Sequence, residues 1–446
     1  MLPILTIPQG IRSFATVFTP VFVHAAQLDH FTEMVTGLIV SGNKTIGGIQ
    51  QGLLNGTSYD ALRRFMSRSP WSVDELRTRR LEMVESATHE SESPRVICLD
   101  ATFAHHTGES IYGVYKYWDY AKKAYCLAQR LVLSSLATPS RNLPLGWKLY
   151  HRGYLKEQEL YLEAVKPKDD DIEEAWDAYN QLIETYEANC QNHQKQWELA
   201  RELIDECESH GIKSEAYVLD SALLTKEIAE HIESNTSCKA FVSRLAKSRL
   251  IQVVDSRYLS LIAWAKSLPA DVFKSVQVKT RHGEPRTYWC FSKCVKVKDW
   301  RKLRIVISYD NENLEGEPIF LVTNKTNWTQ PEKIVQLYMY RDPIEHLIRD
   351  DKQELGFEKS QQCGQLAVER HWELSFTAHT FLELAFPMSL PDEVPSATIE
   401  TIGQKRRLIE CDVLQNFVEM CVEFDGEERK ELFDLLKRQR LNRIAR

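Results

Sequence analysis

Three acidic residues lie where the sequence predicts elements that could bring their side chains together. Asp100 and Asp220 each end a short apolar run, at residues 96–99 and 217–219, and Glu345 lies in a predicted helix of mixed charge. A buried lone carboxylate is costly, so an apolar strand seldom ends on one without a partner. Taken singly, each acid is better explained as a cap or surface group, and the case for chemistry depends on their convergence.

Three converging carboxylates would repel one another unless cations neutralised them. Mg²⁺ is the natural choice, because this hard ion binds one or a few carboxylates and keeps water and phosphate oxygens as its other ligands. Two such ions about 4 Å apart can activate a water or a 3′-hydroxyl and stabilise the leaving oxygen. The predicted chemistry is therefore phosphodiester cleavage and strand transfer, with two Mg²⁺ ions that Mn²⁺ can replace.

A second group of side chains surrounds the glutamate. On one continuous helix, Tyr338, Arg341, Glu345 and Lys352 would fall within an arc of about 60°. Arginine can clamp a phosphate with two hydrogen bonds, lysine supplies a point charge, and tyrosine can stack or donate a hydrogen bond. This face is therefore predicted to place a metal ligand beside groups that bind phosphate.

Pro343 interrupts this stripe and leaves two interpretations open. It either kinks one helix that Thr329 caps, or it lies in the first turn of a fresh helix that Asp342 caps. In both cases the tyrosine–arginine half and the glutamate–lysine half point in different directions. The neighbouring acids Asp350 and Asp351 are expected to be solvated.

The elements that must position these residues predict an α/β fold. Residues 96–137 read as a buried strand followed by an antiparallel meander, and residues 155–210 read as helices that lead to the strand before Asp220. Residues 276–323 read as strands, and an apolar helix follows Lys352. A helix that leads into a second strand is the unit from which α/β folds are built.

The N-terminal residues 27–90 read as short helices. Ser72 and Glu75 form a capping-box pattern at the start of one of them. A helix-turn-helix and an ordinary helical bundle are both compatible with residues 43–65. The region is predicted to be basic because of six arginines: Arg63, Arg64, Arg68, Arg77, Arg79 and Arg80.

Charge is strongly segregated along the chain, although the formal net charge is only −7. Residues 154–233 hold seven Lys/Arg against 21 Asp/Glu, whereas residues 239–304 hold 16 against four. A basic, aromatic-rich stretch suits a polyanion such as DNA, although it could also face the acidic segment of the same chain. Within it, Arg244, Lys247 and Arg249 form either a phosphate-binding stripe or a solvated helix face.

The cysteines, the apolar runs and the histidines indicate the cellular context and the other candidate sites. The ten cysteines are scattered without CxxC spacing and are expected to be reduced thiols in the cytoplasm. No apolar run is long enough for a transmembrane helix, and prolines in the apolar N-terminus argue against a signal peptide. His105 and His106 could approach DNA or a metal, but magnesium sites seldom use histidine, so a surface loop is the preferred interpretation. His371 and Trp372 are expected to pack in the core.

These motifs resemble those of DDE transposases of the insertion-sequence family-four type. The spacing Tyr338-x2-Arg341-x3-Glu345-x6-Lys352 is similar to the Y-(2)-R-(3)-E-(6)-K signature of that family. The sequences "CLDATF" and "YVLDSAL" look like its two aspartate motifs. The resemblance covers roughly residues 40–385.

The resemblance implies a ribonuclease H-like mixed-sheet core in which Asp100, Asp220 and Glu345 bind the metal ions. It implies that Tyr338, Arg341 and Lys352 contact double-stranded DNA at the ends of a transposon, with a homodimer holding two ends and the target. Relatives use a cut-and-paste mechanism, often through a hairpin end. Trp328 could stack on a flipped base. A catalytically inactive DNA-binding protein of the same fold, or a related structure-specific nuclease, is the alternative.

The expected layout has an N-terminal helical DNA-binding domain, a core split by a basic β-rich insertion, and a C-terminal helical region. The respective boundaries are 1–90; 91–235 for the first part of the core, with a helical insert at about 155–210; 236–325 for the insertion; 326–386 for the second part of the core; and 387–446. The C-terminal helices or the acidic insert could supply a dimer contact. A protein of this kind is expected in the bacterial cytoplasm, on the nucleoid when it is bound to DNA.

Overall fold

The structure is a computed structural model that combines many helices with one large mixed sheet. It describes residues 3–54, 56–88, 93–119, 122–151, 155–168, 172–253, 257–280, 283–386 and 401–444. The helices are α1 Gln9–Ala15, α2 Ala25–Val40, α3 Ile46–Gly52, α4 Tyr59–Ser67, α5 Val73–Thr88, α6 Leu155–Val165, α7 Glu173–Asn192, α8 Gln196–Ser209, α9 Lys226–Asn235, α10 Leu261–Ser267, α11 Pro331–Met339, α12 Asp342–Gln353, α13 Gln365–Leu384, α14 Ile402–Glu423 and α15 Gly426–Ile444. The strands are β1 Val96–His106, β2 Tyr115–Asp119, β3 Ala124–Ala137, β4 Asn142–Tyr150, β5 Ala216–Leu219, β6 Phe241–Arg244, β7 Leu250–Gln252, β8 Tyr258–Ser260, β9 Lys274–Lys279, β10 Pro285–Val297, β11 Lys302–Tyr309 and β12 Ile319–Thr323.

The twelve strands form one sheet in the order β2-β3-β1-β5-β6-β12-β11-β10-β7-β8, with β4 also paired to β3 and β9 to β10. The predicted meander is present, since β1 and β2 both pair with β3 in antiparallel register. Strand β4 continues it on β3, and the sequence reasoning did not predict this strand. On its other side β1 pairs in parallel with β5, which in turn pairs in parallel with β6.

Both faces of the central strands are buried, which explains their unbroken apolar sequence. Alternate residues of β1 enter different cores: Ile97 and Leu99 pack with α8 and α9, whereas Val96 and Cys98 pack with α11 and α12. The acidic helical insert therefore lies partly against the sheet, because α8 buries Leu203 in the same cluster.

The predicted β-rich insertion is continuous with the central sheet. Strand β12 pairs with β6, which extends the sheet from the two parallel strands into the hairpins that follow. The helix predicted around Arg244, Lys247 and Arg249 is wrong. Arg244 ends β6, and the next residues form a turn that leads into β7. Apolar side chains on both faces of β6 stabilise a strand there instead.

The N-terminal helices form a bundle around α13, and they share one apolar core with it. The predicted cap is present, since the Ser72 hydroxyl accepts a hydrogen bond from the Glu75 amide at 3.3 Å. Arg77 and Arg80 are wrongly assigned to a basic surface. Both are buried, and their guanidinium groups bind the carboxylate of Glu373 on α13.

The segment that carries the tyrosine, arginine, glutamate and lysine consists of two helices. Helix α11 ends at Met339 and α12 begins at Asp342, with Pro343 in its first turn. The fresh-helix interpretation is therefore right, and the single straight stripe is wrong. Neither predicted cap forms, because α11 and α12 have no side-chain hydrogen bond at their N-caps, Gln330 and Arg341.

The C-terminal part contains α14 and α15, which are separated at Phe424 and Asp425. The proline-rich segment 387–400 that precedes them lies outside the described residues. Among the helices that the structure describes, none has the length and apolar character needed to cross a lipid bilayer. His371 and Trp372 are buried as predicted.

Candidate active site

The register of two parallel strands brings the two aspartates together. Leu99 of β1 lies opposite Leu219 of β5, so Asp100 and Asp220 are neighbours at the same end of the pair. The amide of Asp220 donates to the carbonyl of Leu99 at 3.2 Å, which extends the ladder by one residue. Residue spacing alone could not predict this pairing, because 120 positions separate the two acids.

Helix α12 is held against this strand edge at both ends. Near its start, the Cys98 thiol donates to the carbonyl of Tyr340 at 2.9 Å, and the Asn142 amide donates to the carbonyl of Pro343 at 2.5 Å. Near its end, Asp351 pairs with His379 of α13 at 2.6 Å. The expectation that Asp351 is solvated is wrong, since this carboxylate is buried and fixes the helix.

Arg341 lies at the centre of the three acids and contacts each of them. Its Nη2 is 2.9 Å from Asp100 Oδ2 and 3.2 Å from Asp220 Oδ1, and its Nη1 binds Glu345 Oε1. The side-chain exposures rise from 12% for Asp100 through 30% for Asp220 to 54% for Glu345. The site is therefore a graded cleft, closed at the sheet and open at the helix.

The pKa values of Asp100 and Arg341 reflect the close approach of these charged groups. Burial raises the pKa of Asp100 from 3.8 to about 6, Arg341 opposes that shift, and Asp220 adds to it. Burial alone would lower the pKa of Arg341, but Asp100 and the other neighbouring anionic groups outweigh it and raise that pKa. One guanidinium thus balances only part of the negative charge of three carboxylates.

The raised pKa of Asp100 predicts how stability depends on pH. Between pH 3.8 and about 6 the unfolded chain loses this proton before the folded protein does, so the folded state binds more protons and is destabilised as pH rises. We expect the free energy of unfolding of the wild type, relative to Asp100→Asn, to fall by up to about 3 kcal/mol across that window. Urea unfolding of both proteins in metal-free buffer at several pH values measures this difference. If the free energies of unfolding of the two proteins changed in parallel with pH, the raised pKa of Asp100 would be contradicted.

The site also contains the predicted tyrosine and one residue of the basic segment. Burial raises the pKa of Tyr338, and the nearby Arg341 and Arg244 oppose that shift. Arg244 is exposed at the end of β6. The predicted DNA-contacting residues Tyr338, Arg341 and Arg244 therefore lie together beside Asp220.

Lys352 belongs to the same site but points along β1. Its Nζ donates to the hydroxyl of Thr102 at 2.7 Å and to the carbonyl of Phe103 at 2.5 Å. Burial lowers the pKa of this amine. The contacts tie α12 to the strand that carries Asp100, so Lys352 fixes the spacing between Glu345 and that aspartate.

The remaining predicted DNA contacts are less closely connected with the three acids. Trp328 packs partly into the core beside α11, and the Lys333 ammonium lies 4.5 Å from the centre of its ring. Lys247 pairs with Glu317 at 2.6 Å on the surface, and Arg249 is half-buried in the turn before β7. Their roles in DNA binding stay predictions.

The donor set of the cleft fits a hard divalent cation. Three carboxylate oxygens from β1, the residue after β5, and α12 converge on one positively charged group, and oxygen ligands of this kind suit Mg²⁺ or Mn²⁺. Asp100, Asp220 and Glu345 are the residues that would hold the metal. Arg341 already lies between the three carboxylates. A bound cation would therefore either share these carboxylates with the guanidinium or displace the guanidinium from them.

Sequence reasoning missed the bridging position of Arg341, which it placed on a DNA-facing stripe. It also missed the buried Arg77–Glu373–Arg80 network and a cluster formed by His105, Asp119 and Cys126. Only His105 had drawn attention in the sequence. Neither set shows a recognisable spacing, because its members come together through strand register and helix packing.

Comparison with known proteins gives a match to a sequence family and distant similarities to solved structures, one of which is described here. Residues 17–234 match the sequence model of a family described as "DDE superfamily endonuclease", which covers just under half of the chain and includes Asp100 and Asp220 but not Glu345. No curated protein matches the sequence. A solved structure described as a cryo-EM structure of piggyBac transposase synaptic complex with hairpin DNA matches with a TM-score of 0.36 and 8% identity, over 77% of this chain and 58% of that chain.

This chain thus spans less than two thirds of the transposase with which it was aligned. The sequence match includes the bundle helices from residue 17, the meander, the acidic helices and the first parallel strand pair. Across residues 17–234, this chain is similar to the family described as DDE superfamily endonucleases, and this similarity supports an endonuclease of that type.

Proposed function

We propose that this protein is a metal-dependent DNA transposase that cuts at the terminal inverted repeats of its element and joins the ends to target DNA. The observation that carries this proposal is the convergence of Asp100, Asp220 and Glu345 on one guanidinium at the end of two parallel strands. A cut-and-paste route, with a hairpin as one form of end processing, is the mechanism that we propose for it.

The strand arrangement supports a ribonuclease H-like core within this proposal. The order β4-β3-β1-β5-β6, with an antiparallel meander beside two parallel strands, gives a five-stranded unit with both aspartates on its central pair. In open α/β sheets, sites commonly form at the carboxyl ends of parallel strands. Asp220 directly follows β5, and Asp100 lies within β1 where its parallel pairing with β5 ends, so both aspartates lie at the carboxyl end of the paired stretch, next to the first turn of α12.

In this mechanism the side chains hold and orient the reacting groups. The three carboxylates would hold divalent cations, which would supply Lewis acidity for attack by a water or 3′-hydroxyl on phosphorus. Arg341 binds a phosphate oxygen of the cleaved strand through its forked donors once its carboxylate partners are engaged elsewhere. Lys352 keeps α12 and β1 in register, so that Glu345 and Asp100 face the same space.

The function is tested by cleavage of DNA that carries the terminal inverted repeats from either side of the gene. The purified protein is expected to nick these ends with Mg²⁺ or Mn²⁺ and to leave a scrambled repeat intact. Mapping the 5′ and 3′ termini of the products distinguishes a hairpin from an open end. Tight binding to the repeats without cleavage in either metal would contradict the proposal.

The proposed DNA path runs from the cleft towards the basic segment. Arg244 lies beside Tyr338, and Arg286 of β10 is close enough to affect the pKa of Asp342 at the start of α12. Both arginines are exposed, so they can reach a phosphate backbone without first breaking a buried contact.

Salt dependence tests this path. Each phosphate that a cation neutralises adds about −0.9 to the slope of log K against log salt concentration. We expect Arg244→Ala to make the slope shallower by roughly that amount, and the double change of Lys247 and Arg249 to alanine to make it shallower by about twice that amount. Lys195→Ala, which removes an exposed charge from the acidic segment, is the matched control. An unchanged slope in either basic variant would remove that group from the interface.

We also propose a homodimer in the DNA complex, because two transposon ends must be held together for joining. Helix α14 offers a surface for it: Leu414, Val418 and Val422 are exposed at four-residue intervals and form one apolar stripe. A second copy of this helix would cover that stripe. We place the protein in the bacterial cytoplasm as part of the same proposal.

A further inference from the structure

A second cluster of potential metal ligands lies on the sheet, apart from the three acids. His105 of β1, Asp119 of β2 and Cys126 of β3 present one ligand atom each, and these atoms lie within 4.8 Å of one another. We propose that they form a binding site for a borderline transition-metal ion such as Zn²⁺. This inference does not depend on the transposase proposal.

Strand register puts the three side chains on one face. His105 lies opposite Ala128, two residues from Cys126, and Cys126 lies opposite Tyr117, two residues from Asp119. Side chains two residues apart along a strand share a face, as do directly paired residues. The position of the cluster is therefore set by the pairing of β3 with β1 and β2, and not by the conformation of a loop.

The ligand distances suit a tetrahedral ion. His105 Nε2 lies 3.3 Å from Asp119 Oδ2. Two ligands bound about 2.0–2.1 Å from a tetrahedral zinc ion are separated by about 3.3 Å. The Cys126 sulfur, within 4.8 Å of both atoms, would complete a three-ligand set.

The ligand types separate this site from the carboxylate cleft. Imidazole and thiolate ligands favour Zn²⁺ and similar ions, whereas Mg²⁺ prefers oxygen. Asp100 and His105 are five residues apart on β1, so strand alternation points them to opposite faces. Burial and the charge of Asp119 raise the pKa of the Cys126 thiol, so metal binding must release a proton from it.

A further carboxylate lies near Nδ1 of His105, the ring nitrogen that would not bind the ion. Glu358 Oε2 accepts a hydrogen bond from the His105 amide at 3.3 Å and lies 4.0 Å from its Nδ1. A carboxylate near the non-ligating nitrogen is the usual support for a metal-binding histidine, because it fixes the ring and its tautomer. The ammonium of Lys122, 3.9 Å from Asp119 Oδ2, is mostly exposed and can swing away when a cation binds.

The position of the site gives it a structural role. An ion there would pin β2 and β3 to the end of β1, and β1 also carries Asp100 and contacts Lys352 through Thr102. Loss of the ion would loosen the strand end beyond the cleft while leaving the three acids in place.

Co²⁺ loading of the full-length protein tests the proposal. After chelation and removal of the chelator, the wild type is titrated with Co²⁺ in excess Mg²⁺, which would occupy the carboxylate cleft. A near-ultraviolet thiolate-to-metal charge-transfer band is expected that saturates at one equivalent of Co²⁺ and that Zn²⁺ removes. Cys126→Ser should abolish this band, and Asp119→Asn and His105→Gln should weaken Co²⁺ affinity at least about tenfold.

Two control variants test whether the band comes from the Cys126 thiolate. Cys363→Ser, at an exposed thiol, and Asp220→Asn, in the carboxylate cleft, should both retain the band. A band that survives in Cys126→Ser, a band lost in Cys363→Ser, or no thiolate band in the wild type would each overturn the site. Circular dichroism of every variant shows whether a lost band reflects a lost ligand or a lost fold.

Discussion

Replacing Asp100 by asparagine is expected to lower the rate of DNA cleavage roughly 10³-fold. A metal ion contributes several kcal/mol of charge stabilisation in the transition state, and each 1.4 kcal/mol or so is a factor of ten in rate. Asp100 is the most buried of the three acids, and β1, Val96–His106, contains no second acid that could replace it. Single-turnover cleavage of labelled transposon ends, at saturating protein, measures the chemical step separately from binding.

The same substitution separates catalysis from folding and from DNA binding. In metal-free buffer at pH 7, Asp100→Asn should be at least as stable as the wild type, because a buried carboxylate with a raised pKa is replaced by a neutral group. Stabilisation of the fold by Mn²⁺ should shrink, while affinity for the repeats should change little. Asp310→Asn, in the exposed turn after β11, is the matched control. Cleavage by Asp100→Asn at the wild-type rate would exclude this residue from the catalytic site.

The largest effect on stability is expected from Glu373→Gln. Glu373 is fully buried on α13, and its carboxylate binds Arg77 at 3.0 Å, Arg80 at 2.8 Å and the Trp147 indole at 3.1 Å. Burial alone would raise the pKa of Glu373, but the two arginines outweigh it and lower that pKa. Removing one partner of a buried ion pair leaves an uncompensated charge, which costs about 3–5 kcal/mol.

Equilibrium unfolding in urea measures this loss. Glu369→Gln, one turn earlier on α13 and partly exposed, should change the free energy of unfolding by less than about 0.5 kcal/mol. Because the carboxylate pKa of Glu373 is lowered in the fold, its contribution should be present above pH 4.5 and should disappear as the pH falls below that value. A Glu373→Gln protein within about 1 kcal/mol of the wild type would show that the network contributes little.

The location of this network explains why the bundle and the sheet act together. Arg80 also donates to the carbonyl of Leu145 on β4 at 2.8 Å, and Arg77 binds Glu206 on α8 at 3.0 Å. The N-terminal helices are thereby fixed to both the meander and the acidic helices. Any movement of the predicted N-terminal DNA-binding region would have to break these buried contacts.

The sequence by itself determined the local elements and the three acids. Unbroken apolar runs predicted the start of β1 and the whole of β5, and the two aspartates that follow these runs lie side by side, although β1 continues past Asp100 to His106. Proline at position 343 indicated either a kink or a helix boundary, and the structure has the boundary, since the second helix begins beside it. These features are local, because apolar content, capping residues and proline act on the chain within a few positions.

Only the tertiary structure decided which charged side chains form pairs and which residues are their partners. Arg77, Arg80 and Asp351 look like surface charges in the sequence but form buried pairs, and Arg341 turns from a DNA-facing stripe into the centre of the three acids. The grouping of His105, Asp119 and Cys126 follows from strand register alone. The physical reason is that a charge depends on its partner, and these partners come from segments tens to hundreds of residues away that only packing brings into contact.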